Sequence, residues 1–282
     1  MTKDTGCYQA LQHYSLNPLG RDLVVGDVHG CFSLLDAALK QLDFDPTRDR
    51  LFSVGDLVDR GGESPAVLDA VRRHRIKAVR GNHEQMILDW ALNGGPEYVR
   101  AHRSYLASSQ AKFDQIAADV SHRKGSTSAL IDNGGEWFIE LHYRGDETER
   151  CNAQHIVNYF TSMPLAIEVE TAHGLMGIVH ADVPVDNWSS LRRALIHGDS
   201  EMCETLLWDR RRWKGRAVSD CIAHVTAVVV GHSPTHDVAQ CGNVINIDTG
   251  AVYGNKLTIL NFADILEWLA RGDRTITRNP ER

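Results

Sequence analysis

Short apolar runs, each closed by a glycine or a polar turn and each followed by helical periodicity, dominate the first ninety residues. Arg21 to Gly26 (RDLVVG) reads as a strand. Leu34, Leu35, Ala38, Leu39 and Leu42 then recur at helical spacing, with Ser33 and Asp36 expected to cap that helix. Arg50 to Val54 repeats the strand, and Ser64-Pro65 opens a second helix with Val67, Leu68 and Val71 on one face. Ile76 to Val79 and Gln85 to Leu92 make a third round. Three strand-turn-helix units in succession imply a parallel sheet with right-handed crossovers, all three turns lying on one edge.

The pattern then changes. Between the Asn-Gly-Gly turns at 93–95 and 133–135 the chain is polar, with weak helical periodicity carried by Tyr98, Ala101, Tyr105, Leu106, Phe113, Ile116, Ala117 and Val120. One or two helices projecting from the sheet are expected over about 94–132, as a lid that selects substrate or as an ordinary helical excursion. Past Trp137, strands are expected at Leu165 to Val169, Leu175 to Val179, Thr226 to Val230, Val244 to Ile247 and Leu257 to Asn261. A helical stretch runs from about Ser189 to Trp208, and a last helix covers Asp264 to Leu269. The later three strands have connections too short for crossover helices, so this half is expected to be mixed or antiparallel. The whole reads as one α/β domain over 21–270, with an N-terminal segment 1–20 before it and a tail 271–282 after it.

Composition narrows the class. A chain of 282 residues with 43% hydrophobic and 24% charged residues is globular, not disordered or fibrous. Its net charge of -7 argues against a nucleic-acid partner, which would need a basic face. The N-terminus lacks the apolar core of a signal peptide and no run approaches a bilayer span, so no membrane association is expected. Six cysteines, at 7, 31, 151, 203, 221 and 241, form no close pairs; reduced thiols in a cytoplasmic protein fit best. Cys31 reads as a small buried residue.

The candidate chemistry lies where the apolar runs stop. Five strand-ending turns hold Asp, His or Asn: Asp27 and His29; Asp56 and Asp59; Asn82 and His83; His180; His232. One polar turn is ordinary, because turns use Asp and Gly. Five on one rim are not, since gathering carboxylates and imidazoles there adds nothing to stability. Carboxylate and imidazole without thiolate suit first-row divalent cations and argue against a structural zinc site. More ligands than one ion needs point to two cations sharing a carboxylate.

Together, GDVHG (26–30), GDLVDRG (55–61), RGNHE (80–84), VHAD (179–182) and GHSP (231–234), with NGGEWF and DTGAV between and after them, resemble the metallophosphoesterase signature. The version is that of the phosphoprotein phosphatases, in their bacterial and phage branch. The resemblance runs from about Asp22 to Phe262, and the segment from about Asn93 to Asp132 departs from it by being longer than its phage equivalent. It implies a mixed β-sandwich flanked by helices, the calcineurin-like fold. It implies two divalent cations, with Asp27 and His29 on the first, Asn82, His180 and His232 on the second, and Asp56 bridging; the oxygen-rich, thiolate-free ligands put manganese ahead of iron or zinc. Hydroxide held between them would attack phosphorus in line, with His83 as general acid oriented by Asp59, and with Arg60, Arg210 and, less directly, Arg80 holding the phosphate.

The implied activity is hydrolysis of phosphoserine and phosphothreonine on proteins, with phosphotyrosine as an extension. The alternative is a dinucleoside tetraphosphate hydrolase on the same scaffold. That group usually carries Asn where this chain has Asp59 and Asp where it has Glu84, which favours the protein phosphatases. A metal-stabilised binding module without activity would be expected to have lost a ligand or the His83–Asp59 pair; every position is filled. Phosphorylated proteins are the implied partners.

Overall fold

The computed structural model describes residues 10–96, 127–143 and 145–270. Strands β2 (Asp22–Val25), β3 (Arg50–Ser53) and β4 (Lys77–Ala78) pair in parallel, as the three repeated units require. Strand β10 (Ile259–Asn261) joins antiparallel to β2 and completes a four-stranded sheet in the order β10-β2-β3-β4. A second sheet has six strands in the order β1-β5-β6-β7-β9-β8. It comprises β1 (Leu11–Tyr14), β5 (Ala166–Thr171), β6 (Gly174–Val179), β7 (Ala227–Val230), β8 (Ala239–Cys241) and β9 (Val244–Asn246). This sheet is mixed: β6, β7 and β9 run parallel, while β5 and β8 pair antiparallel to β6 and β9.

Alternation along the strands sorts side chains between three apolar layers, because successive residues of a strand face opposite sides. Val24, Phe52 and Val54 from the first sheet meet Ile167, Met176, Ile178, Val229 and Ile245 from the second in one buried core. Their neighbours Leu23, Val25 and Leu51 face the outer helices, as do Val228, Val230 and Val244 on the other side. The architecture is therefore a two-sheet sandwich with helices on both outer faces. Phe52 anchors the middle. It stacks on Phe262 at 5.6 Å and meets the Tyr14 ring edge-on at 5.3 Å, contacts worth roughly 1 kcal/mol each beyond burial.

The first sheet is covered by α1 (Phe32–Gln41), α2 (Val67–His74) and α3 (Asn82–Leu92), followed by α4 (Thr127–Asp132), α5 (Glu136–Tyr143) and α6 (Glu147–Ser162). The second is covered by α7 (Trp188–Ile196) and α8 (Ser200–Trp208), and α9 (Phe262–Ala270) is the last described element. Among the described residues no helix is long and apolar enough to cross a membrane.

Several expectations need correcting. Residues 10–20 are not all outside the domain: β1 lies among them and pairs in parallel with β5, Leu11 opposite Ala166. Ser33 does not cap α1. It sits inside the helix, its backbone N–H and hydroxyl both given to Glu63, while Asp36 pairs with Arg73 across on α2. The stretch 189–208 is two helices broken at Gly198 (φ 68°), the second capped by Asp199. Helices α5 and α6 were not anticipated. The expected excursion over 94–132, and the lid reading attached to it, lie outside the described residues except at 94–96 and 127–132.

Candidate active site

The functional side chains enter from the carboxyl ends of parallel strands in both sheets. Asp27 and His29 follow β2, Asp56, Asp59 and Arg60 follow β3, and Asn82 and His83 open α3 after β4. His180 follows β6, His232 follows β7, and Asp248 follows β9. This end of an α/β sheet is where ligands collect. The turns are strained to bring these groups in. Eight described non-glycine residues have positive φ, and five of them are His29, Asp56, Asp59, Arg60 and His232. Each costs on the order of 1 kcal/mol or more and persists only where the surroundings hold it. Glycine supplies the remaining room: a Cβ on Gly81 would lie 2.1 Å from Asp56 Oδ1, and one on Gly231 2.0 Å from Asp27 Oδ1.

Asp56 is the hub. His180 Nε2 lies 3.3 Å from its Oδ1, and His29 Nε2 and His83 Nε2 lie 3.6 and 3.8 Å from its Oδ2. Two buried groups of converging ligand atoms result, His29–Asp56–His83 and Asp56–His180–His232, with Asp56 in both. Asn82 Oδ1 sits 2.9 Å from His180 Nε2. Asp27 is buried and accepts from the His232 backbone N–H at 3.0 and 3.2 Å.

Three imidazoles are set by main-chain carbonyls, which only accept. His29 Nδ1 donates to Val58 O at 2.9 Å, His180 Nδ1 to Val54 O at 2.7 Å, and His232 Nε2 to Trp208 O at 3.2 Å. The other ring nitrogen of each is thereby turned to the cluster. Burial keeps His29 neutral, its pKa lowered to about 3 against the pull of Asp56. His232 is lowered further still, by burial and then by His180. At His180 burial also acts to lower, but the Asp56 carboxylate outweighs it and the pKa rises. Burial likewise lifts Asp27 well above the usual range, reinforced by Asp248 and Asp56. A buried pocket of acceptor atoms facing one another asks for positive charge, and its oxygen and imidazole donors fit divalent cations.

His83 stands apart from these three. Its Nδ1 faces a carboxyl group, Asp59 Oδ2, at 2.8 Å, and its buried Nε2 has no hydrogen-bond partner in the protein. Asp59 is fully buried, and its Oδ1 accepts from Trp137 Nε1 at 2.7 Å. Burial drives its carboxyl up to about 8 in spite of that indole N–H, while burial drives His83 down to about 4.

Of the arginines, Arg60 projects into the site, its guanidinium 2.6 Å from His29 Nε2. Arg210 bonds Ser233 Oγ at 3.4 Å, and its charge is felt at both His83 and His232. Arg80 does not join them. Its guanidinium donates to the carbonyls of Phe160, Thr161 and Met163 and to Gln85 Oε1, so it fastens the end of α6 rather than gripping phosphate.

Three further residues contribute, which RGNHE, DTGAV and NGGEWF contain but which take no site role from sequence alone. Glu84 is fully buried and accepts from the backbone N–H groups of Gly81, Asp56 and Leu57 at 2.7 to 3.0 Å, tying two of the turns together. Burial and the nearby Asp56 raise its pKa to about 7. Asp248 stands in a sixth strand-ending turn, its pKa raised by burial to about 6, and its position after Val244 to Ile247 carried the same signal as the other five turns. Trp137 had no such signal.

The model of the calcineurin-like phosphoesterase family matches residues 21–249, most of the chain. The chain belongs to that family. Serine/threonine-protein phosphatase 1 of Salmonella typhimurium is 34% identical over 236 residues, covering 84% of this chain and 89% of that protein. Symmetrical bis(5'-nucleosyl)-tetraphosphatase of Pasteurella multocida is more distant, 25% identical over 276 residues and covering 86% and 93%. A protein serine/threonine phosphatase of Saccharomyces cerevisiae shares the fold, with a TM-score of 0.54 at 15% identity over 96% of this chain and 86% of that one. As a calcineurin-like phosphoesterase, the protein has two buried His/Asp clusters consistent with a dinuclear metal site.

Proposed function

We propose that this phosphoesterase is a metal-dependent protein phosphatase acting on phosphoserine and phosphothreonine. The observation that carries the proposal is the Asp59–His83 pair with its partnerless Nε2. A serine alkoxide is a very poor leaving group and needs a proton; the phosphate groups expelled from a dinucleoside tetraphosphate do not. The carbonyl behind each of His29, His180 and His232 cannot exchange a proton, whereas the carboxyl behind His83 can.

Burial favours the neutral form of both Asp59 and His83, so the pair is read as holding two protons, one along the Oδ2–Nδ1 bond and one on Nε2. Nε2 gives its proton to the leaving oxygen while the shared proton moves to Nδ1, and Asp59 ends as a carboxylate held by Trp137. Such an acid contributes roughly 10²- to 10⁴-fold. Arg60 and Arg210 match non-bridging phosphate oxygens with forked donors. Asp56, with Asp27 and His29 on one side and Asn82, His180 and His232 on the other, would hold the two cations. When bound, these supply Lewis acidity and a water of lowered pKa. Oxygen-rich, thiolate-free ligands favour manganese. The five described cysteines are all free, which supports a reducing cytoplasm.

The test is parallel hydrolysis of a phosphoserine peptide and a dinucleoside tetraphosphate by chelated protein reloaded with manganese. The peptide is expected to be the better substrate by kcat/KM. Preference for the tetraphosphate, or recovery with calcium alone, would overturn the proposal.

A further inference from the structure

The short turn after β9 carries an aromatic side chain that the core does not use. Tyr253 ends a single 3-10 turn, Ala251–Tyr253, set between two left-handed glycines, Gly250 (φ 72°) and Gly254 (φ 87°). The turn is fixed at its start by the Gly250 N–H to Asp248 Oδ1 bond at 3.0 Å and closed by Tyr253 N–H to Gly250 O at 3.0 Å. Tyr253 is 60% exposed, so burial does not account for it. Its ring instead lies beneath Arg60, whose Cζ is 5.7 Å from the ring centroid.

Arg60 has a fixed backbone and a side chain shared between two partners. Its φ of 66° follows that of Asp59 at 69°, and a Cβ on Gly134 would come within 2.5 Å of its backbone N, so the Asn-Gly-Gly turn closes over it. The guanidinium touches His29 Nε2 on one side and the Tyr253 face on the other. The two contacts are made together here, but a cation in the cluster would disfavour only the first. His29 Nε2 is the nitrogen turned to the acceptor cluster, and a cation held there would repel a guanidinium 2.6 Å from that atom. The tyrosine face attracts a guanidinium without consuming its N–H donors, which leaves the fork free for an anion.

We infer that Tyr253 is a positioning residue for Arg60: its ring takes the guanidinium from His29 and holds its fork toward a phosphate dianion. The inference rests on Arg60 being a phosphate ligand, as proposed above, and the experiment separates the two. Isothermal titration of inorganic phosphate into metal-loaded protein is compared for wild type, Y253F, Y253L, R60A and R60A/Y253L, with manganese titrations of the chelated forms alongside. An exposed cation–π contact corresponds to roughly a 2- to 5-fold change in affinity. Y253L is expected to lose that much for phosphate and to bind its first cation more weakly, because Arg60 is left on His29. Y253F is expected to match wild type, and Y253L to add nothing in the R60A background. Wild-type affinities in Y253L, an unrescued loss in Y253F, or a Y253L effect that persists without Arg60 would overturn the role of Tyr253. Unchanged phosphate affinity in R60A would overturn the Arg60 reading itself, and the role of Tyr253 with it.

Discussion

Replacing His83 with Asn removes the proposed acid and leaves the remaining ligands in place. The His83 side chain is fully buried, its Nδ1 bonded to Asp59 and its Nε2 facing the cluster without a partner. Asn is too short to reach both positions, so Asp59 keeps only the indole N–H of Trp137. For a phosphoserine peptide, kcat/KM is expected to fall by about 10²- to 10⁴-fold, equivalent to roughly 3 to 5 kcal/mol of barrier. For p-nitrophenyl phosphate, whose leaving group is stable without protonation, the fall is expected to be less than about tenfold. Leaving a buried carboxyl short of a partner costs about 1 to 3 kcal/mol of stability, so both substrates are measured well below the unfolding midpoint. Metal content per chain is determined on the same samples. Equal losses on both substrates with both cations retained would refute the acid role, and loss of a cation would make His83 a ligand instead.

Asp56→Asn removes the carboxylate common to both clusters, and metal analysis should show weakened loading together with loss of activity; full activity with two cations bound would show that the hub is misplaced. Arg80→Ala should lower stability to urea by about 2 to 3 kcal/mol, because it strips donors from carbonyls at the end of α6, while leaving KM for a phosphate ester unchanged. A raised KM would return Arg80 to the phosphate site. Asp49 predicts an acid limb: burial pushes its carboxyl up, but the Arg21 guanidinium and two backbone N–H groups pull harder, to about 2. A depressed folded pKa gives stability that is complete above pH ~5 and lost as pH falls toward 2, worth at most about 2 kcal/mol given the exposure of Arg21. The stability gap between wild type and Asp49→Asn should therefore narrow by about 1 kcal/mol between pH 5 and pH 3. A constant gap would rule the pair out.

The parallel half of the fold was legible because each repeat carried its own signal. An apolar strand, a glycine turn and a helix recur three times, and the side chains that the turns present follow from the handedness of the crossovers. Positions needing long-range information were harder. β1 is four residues, LQHY, whose strand state comes from β5 and not from its own alternation. Helix α6 did carry a helical stripe, with Ala153, Ile156, Val157 and Phe160 all buried, but ten polar residues around and between them obscured it. In the site, the strand-ending turns pointed to residues that the structure gathers, His29, Asp56, His83, His180 and His232, and Asp248 would have been found by applying the same rule once more. Arg80 shows the limit: Asn82 and His83 in the same RGNHE stretch face the cluster, and nothing local says that its own side chain turns the other way, to carbonyls eighty to eighty-three residues on. Nor does sequence show which residue shields Asp59; Trp137 lies 78 positions away.

The cluster draws from both sheets, Asp27 and Asp56 on one side and His180 and His232 on the other, across the seam of the sandwich. Whatever occupies it acts as a clasp between residues as far apart in the chain as 27 and 232, closing a loop of about two hundred residues in the manner of a disulfide. Ligation and docking of the two sheets thus become one equilibrium, in which tight binding raises the free energy needed to part them. Stripping the site is then expected to weaken the docking of the two sheets across the hydrophobic seam beneath it.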